Sequence, residues 1–508
     1  MLKISKEKLS FLKSLQYNPS SVTYVDESIS KFGKPINFKI YPNYNHINLE
    51  TDFPISQNEV ENNDYSVFQQ LSYMLWYTYG LINYNWLTNK SELNTGESIS
   101  FFRRSVASGG GLYPGELYVY ITGISEMDSG IYYFDVTGPR LVCLRKGNFD
   151  QYIHEALNEG GKGIYIFITS FYWKNFFKYL NFSYRLQGLD IGAIVGQVYI
   201  MSKIFGFQST TKYLFNDNAL NSLLGIDISE ETTYAAVKLE ITNKLTYRDN
   251  KVVNPITKRN QLDFLKHSYT PPNHLYPEIK ELNCLIANDS IFNTGFTNNL
   301  VYYREDIDYP YPYDLLYASR NRVSPGENFL FDQLDCEQVR NILDMSLQKN
   351  FRVDVPIKEY HSFRFVKLYF YANNVKGLAK GYYFYDQLNQ NFILVKRGDF
   401  AFNIQRNLTR KNFNLTELPL IIHVASNINY YLKNMNLRGY RAVQMEAGRI
   451  MHQIQLNAAG INLGSHPMLS YQGENLERMF DVSENILIQL AIGKFKPLLR
   501  LTNDLSQI

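Results

Sequence analysis

Cysteine is scarce: three in 508 residues, Cys143, Cys284 and Cys336, each far from the next. That excludes a disulfide framework and zinc-ligand spacing, and it points to a cytosolic protein. An excess of either charge is also missing, since 51 Lys+Arg face 48 Asp+Glu for a net +3, so nucleic-acid binding through bulk charge is not expected. No run approaches the roughly 20 apolar residues of a membrane span. The start, Met1-Leu-Lys-Ile-Ser-Lys-Glu-Lys8, breaks its apolar residues with charge too often for a signal-peptide core. A soluble protein without a membrane partner is the expectation. His154, His361, His423, His452 and His466 have no ligand-like spacing and no Gly-x-Ser-x-Gly elbow occurs, so neither a metal nor a serine nucleophile is expected.

With 45% hydrophobic residues the chain can bury sizeable cores, and its length suits two domains of roughly 250 residues. An internal repeat supports that division. Gly130-Ile-Tyr-Tyr-Phe-Asp135 followed by Leu141–Gly147 echoes Gly381-Tyr-Tyr-Phe-Tyr-Asp386 followed by Phe392–Gly398, and each pair predicts a hairpin. A buried-type strand follows in both halves, Ile164–Thr169 and Leu420–Ala425, then a long helix from Tyr184-Arg185 and from Tyr440-Arg441. Those two Tyr-Arg pairs are 256 positions apart. Gly188, Gly192 and Gly196 line the first helix and imply close helix packing. A later strand ends each copy, at Ala235–Ile241 and Ile486–Ile492.

The reading is an α+β fold of two tandem copies, 61–260 and 261–508, after an extension over 1–60 that has no counterpart. The join falls around 250 to 300, near Asp249-Asn-Lys251, Thr270-Pro-Pro-Asn273 and Asn293-Thr-Gly295.

The sharpest local sequence is Arg103-Arg-Ser-Val-Ala-Ser-Gly-Gly-Gly-Leu-Tyr-Pro114. Three consecutive glycines let backbone approach a ligand closely and adopt positive φ, while Ser108, Arg103 and Arg104 offer donors and charge. That suits a phosphorylated planar ligand, but the Walker ending and the Gly-x-Gly-x-x-Gly of a dinucleotide fold are both absent.

Taken in order, Leu71–Gly80, this Ser-Gly-Gly-Gly loop, and Lys178-Tyr179 just before Tyr184-Arg185 resemble the SagB-type, flavin-dependent azoline dehydrogenases of the nitroreductase superfamily, over about residues 65 to 210. The second half is similar to the general nitroreductase pattern. The resemblance implies two nitroreductase-like domains forming an intrachain pseudo-dimer, with FMN at their interface. It further implies oxidation of thiazolines to thiazoles, with oxazolines left open, in ribosomally made peptides of the thiopeptide kind.

The family's phosphate-holding Arg-x-Ser motif is missing before Leu71, but Ser319-Arg-Asn-Arg-Val-Ser324 stands in the second half. Conversely Asp354–Ser362, in the place of the glycine loop, has no glycine, and Asn434-Met435 replaces Lys-Tyr. The expectation is that each copy supplies half of one composite site and that a second site has decayed, with one or two FMN per chain left open. The FMN phosphate is expected on Arg320, Arg322 and Lys494 or Lys496; the ring against Gly109, Gly110 and Gly111, with an N–H from Gly464 or Ser465.

The resemblance also puts Lys178 and Tyr179 at the proton abstraction, either one as base, and desolvation would have to lower a free pKa of about 10. Lys212-Tyr213 is a second such pair outside the family's position. The implied partners are an azoline-bearing precursor peptide and a YcaO-type cyclodehydratase; further oligomerisation stays open. Two competing expectations remain: an NAD(P)H-dependent nitroreductase-like enzyme, and an inactive scaffold for precursor peptide or cyclodehydratase.

Overall fold

The computed structural model describes residues 4–17, 35–87, 99–159, 162–241, 276–289, 311–347, 351–355, 366–387, 389–411, 413–496 and 500–505. The expected division at 260 and its three interrupting segments lie outside the described residues, and the stretch 354–362 is described only to 355.

Two mixed α+β halves repeat one another strand for strand. In the first, the sheet runs Arg140–Lys146, Gly130–Asp135, Gly115–Ile121, Ile164–Phe171, Glu231–Ile241, Phe207–Lys212. In the second it runs Asn391–Arg397, Gly381–Asp386, Lys367–Ala372, Leu420–Ser426, Asn485–Gly493, Gly464–Met468. The central strands Ile164–Phe171 and Leu420–Ser426 are buried along their whole length, which is why they read as continuous apolar runs. Both hairpins form as read.

The first sheet carries two further strands. His46–Asn48 covers one edge, and Arg352–Val353, from the far half of the chain, pairs in parallel with Phe207–Lys212 at the other.

The helices Ser183–Ile204 and Ile428–Gly460 are buried nearly all round, so they must lie centrally, and they pack on each other. Their contacts are reciprocal. A Cβ on Gly192 would sit 1.9 Å from the Met445 carbonyl oxygen, and one on Gly448 would sit 2.0 Å from that of Leu189. Gly192 and Gly448, like Leu189 and Met445, are 256 positions apart. Tyr184 and Tyr440, at the same spacing, stack with ring centroids 6.1 Å apart. Residue i touching j while i's copy touches j's copy is the signature of a two-fold interface.

Arg185 and Arg441 extend that exchange: Arg185 donates to the Leu487 carbonyl of the second half, and Arg441 to the Thr233 carbonyl of the first, at 3.1 Å. Arg185 also donates to the carbonyls of Leu15 and Gln16, while Arg441 donates to Asn283. The helix Lys6–Tyr17, packed on Gly473–Met479 of the second half, thus has a parallel in the helix Pro277–Ala287, which packs on Asp217–Leu224 of the first half and on Ile428–Gly460 of the second. The amino-terminal helix therefore has a counterpart after all, which periodicity could not reveal because the two helices share position and not sequence.

Gly192→Ala is expected to force these backbones apart and lower stability by roughly 1–3 kcal/mol. Gly196→Ala, whose Cβ would lie 3.2 Å from the Arg449 carbonyl oxygen, should cost less. Urea midpoints of the two variants check the order.

Candidate functional site

Between the halves lies a cleft of about 1010 Å³. The first half contributes Ala107–Gly111, Lys178, Tyr179 and one face of the helix Ser183–Ile204; the second contributes Ser324, Gly326–Asn328, Thr409, Arg410, Phe413 and His466–Ser470.

The short helix Trp173–Tyr179 brings up Lys178 and Tyr179, and it ends because Leu180 takes φ 48°, ψ −139°. Asn436, 256 positions on, takes φ 51°, ψ −144°. Such a conformation costs of order 1–3 kcal/mol for a residue with a side chain, so its retention in both copies marks a turn the architecture requires. Only the first copy ends that turn on Lys-Tyr.

Gly110 has φ +68° and lies directly against the pair. A Cβ there would sit 2.6 Å from Tyr179 Oη and 3.0 Å from Lys178 Nζ. Gly111, at φ +70°, would point its Cβ into open space, so the loop presents bare backbone. Lys178 Nζ stands 5.4 Å from the Tyr179 ring centroid. Burial, and then Asp190, push the Tyr179 phenol above its ordinary value, with Arg410 opposing. A base here needs desolvation to lower its pKa; for Tyr179 desolvation acts in the reverse sense, because burial disfavours the phenolate.

Arg103, Arg104, Arg320 and Arg322 stand elsewhere than in the cleft wall. Arg103 donates to the carbonyls of Arg320 and Arg322 and to Asn83, while Arg322, buried, donates from Nε to the Ser105 carbonyl at 2.8 Å. Arg320 donates to the Ile55 carbonyl at 2.6 Å. Arg104 is buried, donates to the Tyr79 carbonyl and stacks 4.0 Å from the Tyr79 ring centroid. Together Arg103 and Arg322 clasp the two halves beside the cleft.

Gly464 packs on Pro325, and Ser465 is buried with its hydroxyl lacking a hydrogen-bond partner; the wall itself begins one residue later, at His466. Lys494 pairs with Asp332 at 2.7 Å, and the Lys496 N–H donates to the carbonyl of Asn328, a wall residue. Lys212 and Tyr213 are buried at the interface, with Tyr213 Oη donating to Glu446 at 2.7 Å.

Three wall groups escaped the sequence reading. Asp190 accepts from Ser108 Oγ at 2.7 Å and from the Gly109 N–H at 3.0 Å. An Asp in mid-helix among apolar residues was the available signal. His466 packs on Phe413 at 4.5 Å, burial lowers its pKa to about 4, and its Nδ1 is buried without a partner. Arg410 joins Lys178 as a cation of the cleft.

The place related to this cleft by the duplication is occupied by the chain itself. Arg352–Val353 extends the sheet there, and Asp354 accepts from the N–H groups of Tyr213 and Leu214 at 2.7 and 3.1 Å. The corresponding edge strand at the cleft, Gly464–Met468, contains Pro467, which has no N–H with which to extend a ladder.

Residues 363–494 match the nitroreductase family model. A nitroreductase-like protein from Anabaena variabilis superposes with a TM-score of 0.70 at 18% identity, over 96% of this chain and 99% of that one, so the likeness runs through both halves. The chain has the nitroreductase fold. A Ralstonia eutropha nitroreductase-like protein (15% identity, 42% of this chain and 94% of that one) and a chain of the E. coli microcin synthetase McbBCD complex with truncated pro-MccB17 (17% identity, 47% and 95%) each reach a TM-score of 0.28, which bears no argument. No curated protein matches. Among the described residues no helix is long and apolar enough to cross a membrane, and no group of three or more His, Cys, Asp or Glu is placed to hold a metal ion.

Proposed function

We propose that the chain is an FMN-dependent oxidoreductase that converts thiazolines of a ribosomally made peptide to thiazoles, at one composite site per chain. The observation that carries this is the meeting, around one cleft, of the Gly109–Gly111 loop and Lys178–Tyr179 from one half with Ser324–Asn328 and His466–Ser470 from the other.

The wall fits a flavin. Gly111 offers open backbone to a planar ring, and the Nδ1 of His466 is a buried polar atom awaiting a partner. For a phosphate the second half offers Ser324 and Asn328 at the cleft, with the Arg103–Arg322 clasp beside them. At about 1010 Å³ the cleft stands at the upper end of ordinary ligand sites, with room for cofactor and substrate together.

FMN, when bound, supplies the hydride acceptor, and O2 is the final oxidant. Lys178, as its neutral amine, takes the α-proton, which the ring C=N and the adjoining carbonyl acidify, and becomes the ammonium. Tyr179, kept as a phenol, donates a hydrogen bond and fixes the ring against Gly110. Precursor peptide and a YcaO-type cyclodehydratase are the partners this chemistry requires, in the cytoplasm.

An azoline-bearing peptide incubated with the protein in air should lose about two hydrogens in mass per ring. No loss, combined with steady NAD(P)H oxidation, would favour a nitroreductase-like activity; protein that cannot be reconstituted with FMN would favour a scaffold. The occupied sister site leads to a separate expectation: FMN released from saturated protein should amount to one per chain, and two per chain would refute the composite site.

A further inference from the structure

We propose that Asp190 is a positioning residue, whose carboxylate latches the start of the triple-glycine loop and thereby holds Gly110 against Lys178 and Tyr179. What the loop faces rests on the function proposed above; the latch itself does not.

Asp190 is 5% exposed in the middle of the buried helix Ser183–Ile204. Its two oxygens accept separately, one from Ser108 Oγ and one from the Gly109 N–H. Ser108 Oγ in turn accepts from the Tyr113 N–H at 2.9 Å, and the Ser108 carbonyl from the Gly111 N–H at 3.0 Å. One carboxylate therefore anchors the turn at its entry, and through Ser108 at its exit.

A buried charge needs partners, and among the described residues no basic side chain forms an ion pair with this one. Burial pushes its carboxyl up to about 7, and the Gly109 N–H and the Ser108 hydroxyl are what oppose the rise. Charge and loop stabilise each other. The sister residue, Glu446, 256 positions on, faces Arg449 at 2.9 Å and Tyr213 instead, and so is held by an arginine rather than by a glycine turn. The copy with the loop is also the copy with Lys-Tyr, and Tyr179 lies close enough to feel the Asp190 charge.

Hydrogen exchange on the flavin-free protein tests the latch. Asp190→Asn and Ser108→Ala should each speed exchange of the Gly109 and Gly111 amides about tenfold or more, since the first takes the charge from the acceptor of the Gly109 N–H and the second breaks the bridge from Asp190 through Ser108 Oγ to the Tyr113 N–H. The double variant should be no faster than the faster single one, because both act on one unit. Ser108 stands on the loop, so its variant keeps the test alive if Asp190→Asn fails to fold. FMN affinity, followed by fluorescence quenching, should fall about tenfold in both, with Asp190→Glu recovering part of it. Unchanged loop exchange, or effects that add, would overturn the latch. Should wild-type protein not bind FMN, the reading of the cleft falls while the exchange result still judges Asp190.

Discussion

Lys178→Ala protein is expected to bind FMN and remain yellow, yet to leave azoline-bearing peptide unchanged. Lys178 lies exposed at the cleft, so its removal opens no cavity in the core and should leave stability within about 0.5 kcal/mol of wild type. Its position against Gly110 is a different matter. A Cβ on Gly110 would lie 3.0 Å from its Nζ, which sets Lys178 beside any ring laid on the glycine loop, while burial keeps the neighbouring Tyr179 phenol protonated. Losing a general base typically costs 10²- to 10⁴-fold in rate. Mass spectrometry of the peptide measures the loss, and the visible spectrum of the protein measures the retained flavin. Turnover within a few-fold of wild type would remove Lys178 from the mechanism, and colourless protein would show that the lysine holds the cofactor instead.

The parts of this design visible in the sequence are those with a period or a repeat. The duplication showed in the spacing of Tyr184-Arg185 and Tyr440-Arg441, and the hairpins and central strands showed in their alternation and their apolar runs. Glycine at 192 signalled close helix packing, and there the neighbouring backbone touches. What stayed hidden depends on pairings between distant segments. Arg320 and Arg322 read as ligands for a phosphate because guanidinium suits one, but it suits backbone carbonyls equally, and only the juxtaposition of the halves decides between them. The covering of the Phe207–Lys212 edge by Arg352–Val353 joins residues about 140 positions apart, through a two-residue strand too short to carry any pattern. Asp190 shows in the sequence only as an acid among apolar residues, because its partners lie some 80 positions earlier, in the glycine loop.

The same dependence on long-range pairing makes Asp217 the most sensitive residue of the interface. Its carboxylate, 1% exposed, is shared by two arginines of the other half: Arg438, and Arg441 at 3.2 Å. Both guanidiniums are also 1% exposed, and each has further acceptors, the Tyr213 and Phe215 carbonyls for Arg438, the Thr233 carbonyl and Asn283 for Arg441. They stack on Phe215 and Tyr234. Carbonyls satisfy donors but do not neutralise charge, so Asp217→Asn would leave two buried cations without a counter-ion. Removing one partner of a buried pair costs about 3–5 kcal/mol, a large part of the roughly 5–15 kcal/mol by which a domain is stable. By contrast, the pair of Asp135 with Arg140, whose guanidinium side is 34% exposed, should lose far less on Asp135→Asn, since solvent already screens it. The expected result is a sharply lowered urea midpoint for Asp217→Asn and a modest shift for Asp135→Asn. Because the lost bonds join the halves, the unfolding of Asp217→Asn should also become two-stepped, as a half released from its sister unfolds separately. A single cooperative transition near the wild-type midpoint would mean that the glycine-lined helix contact alone, Gly192 on Met445 and Gly448 on Leu189, holds the halves together.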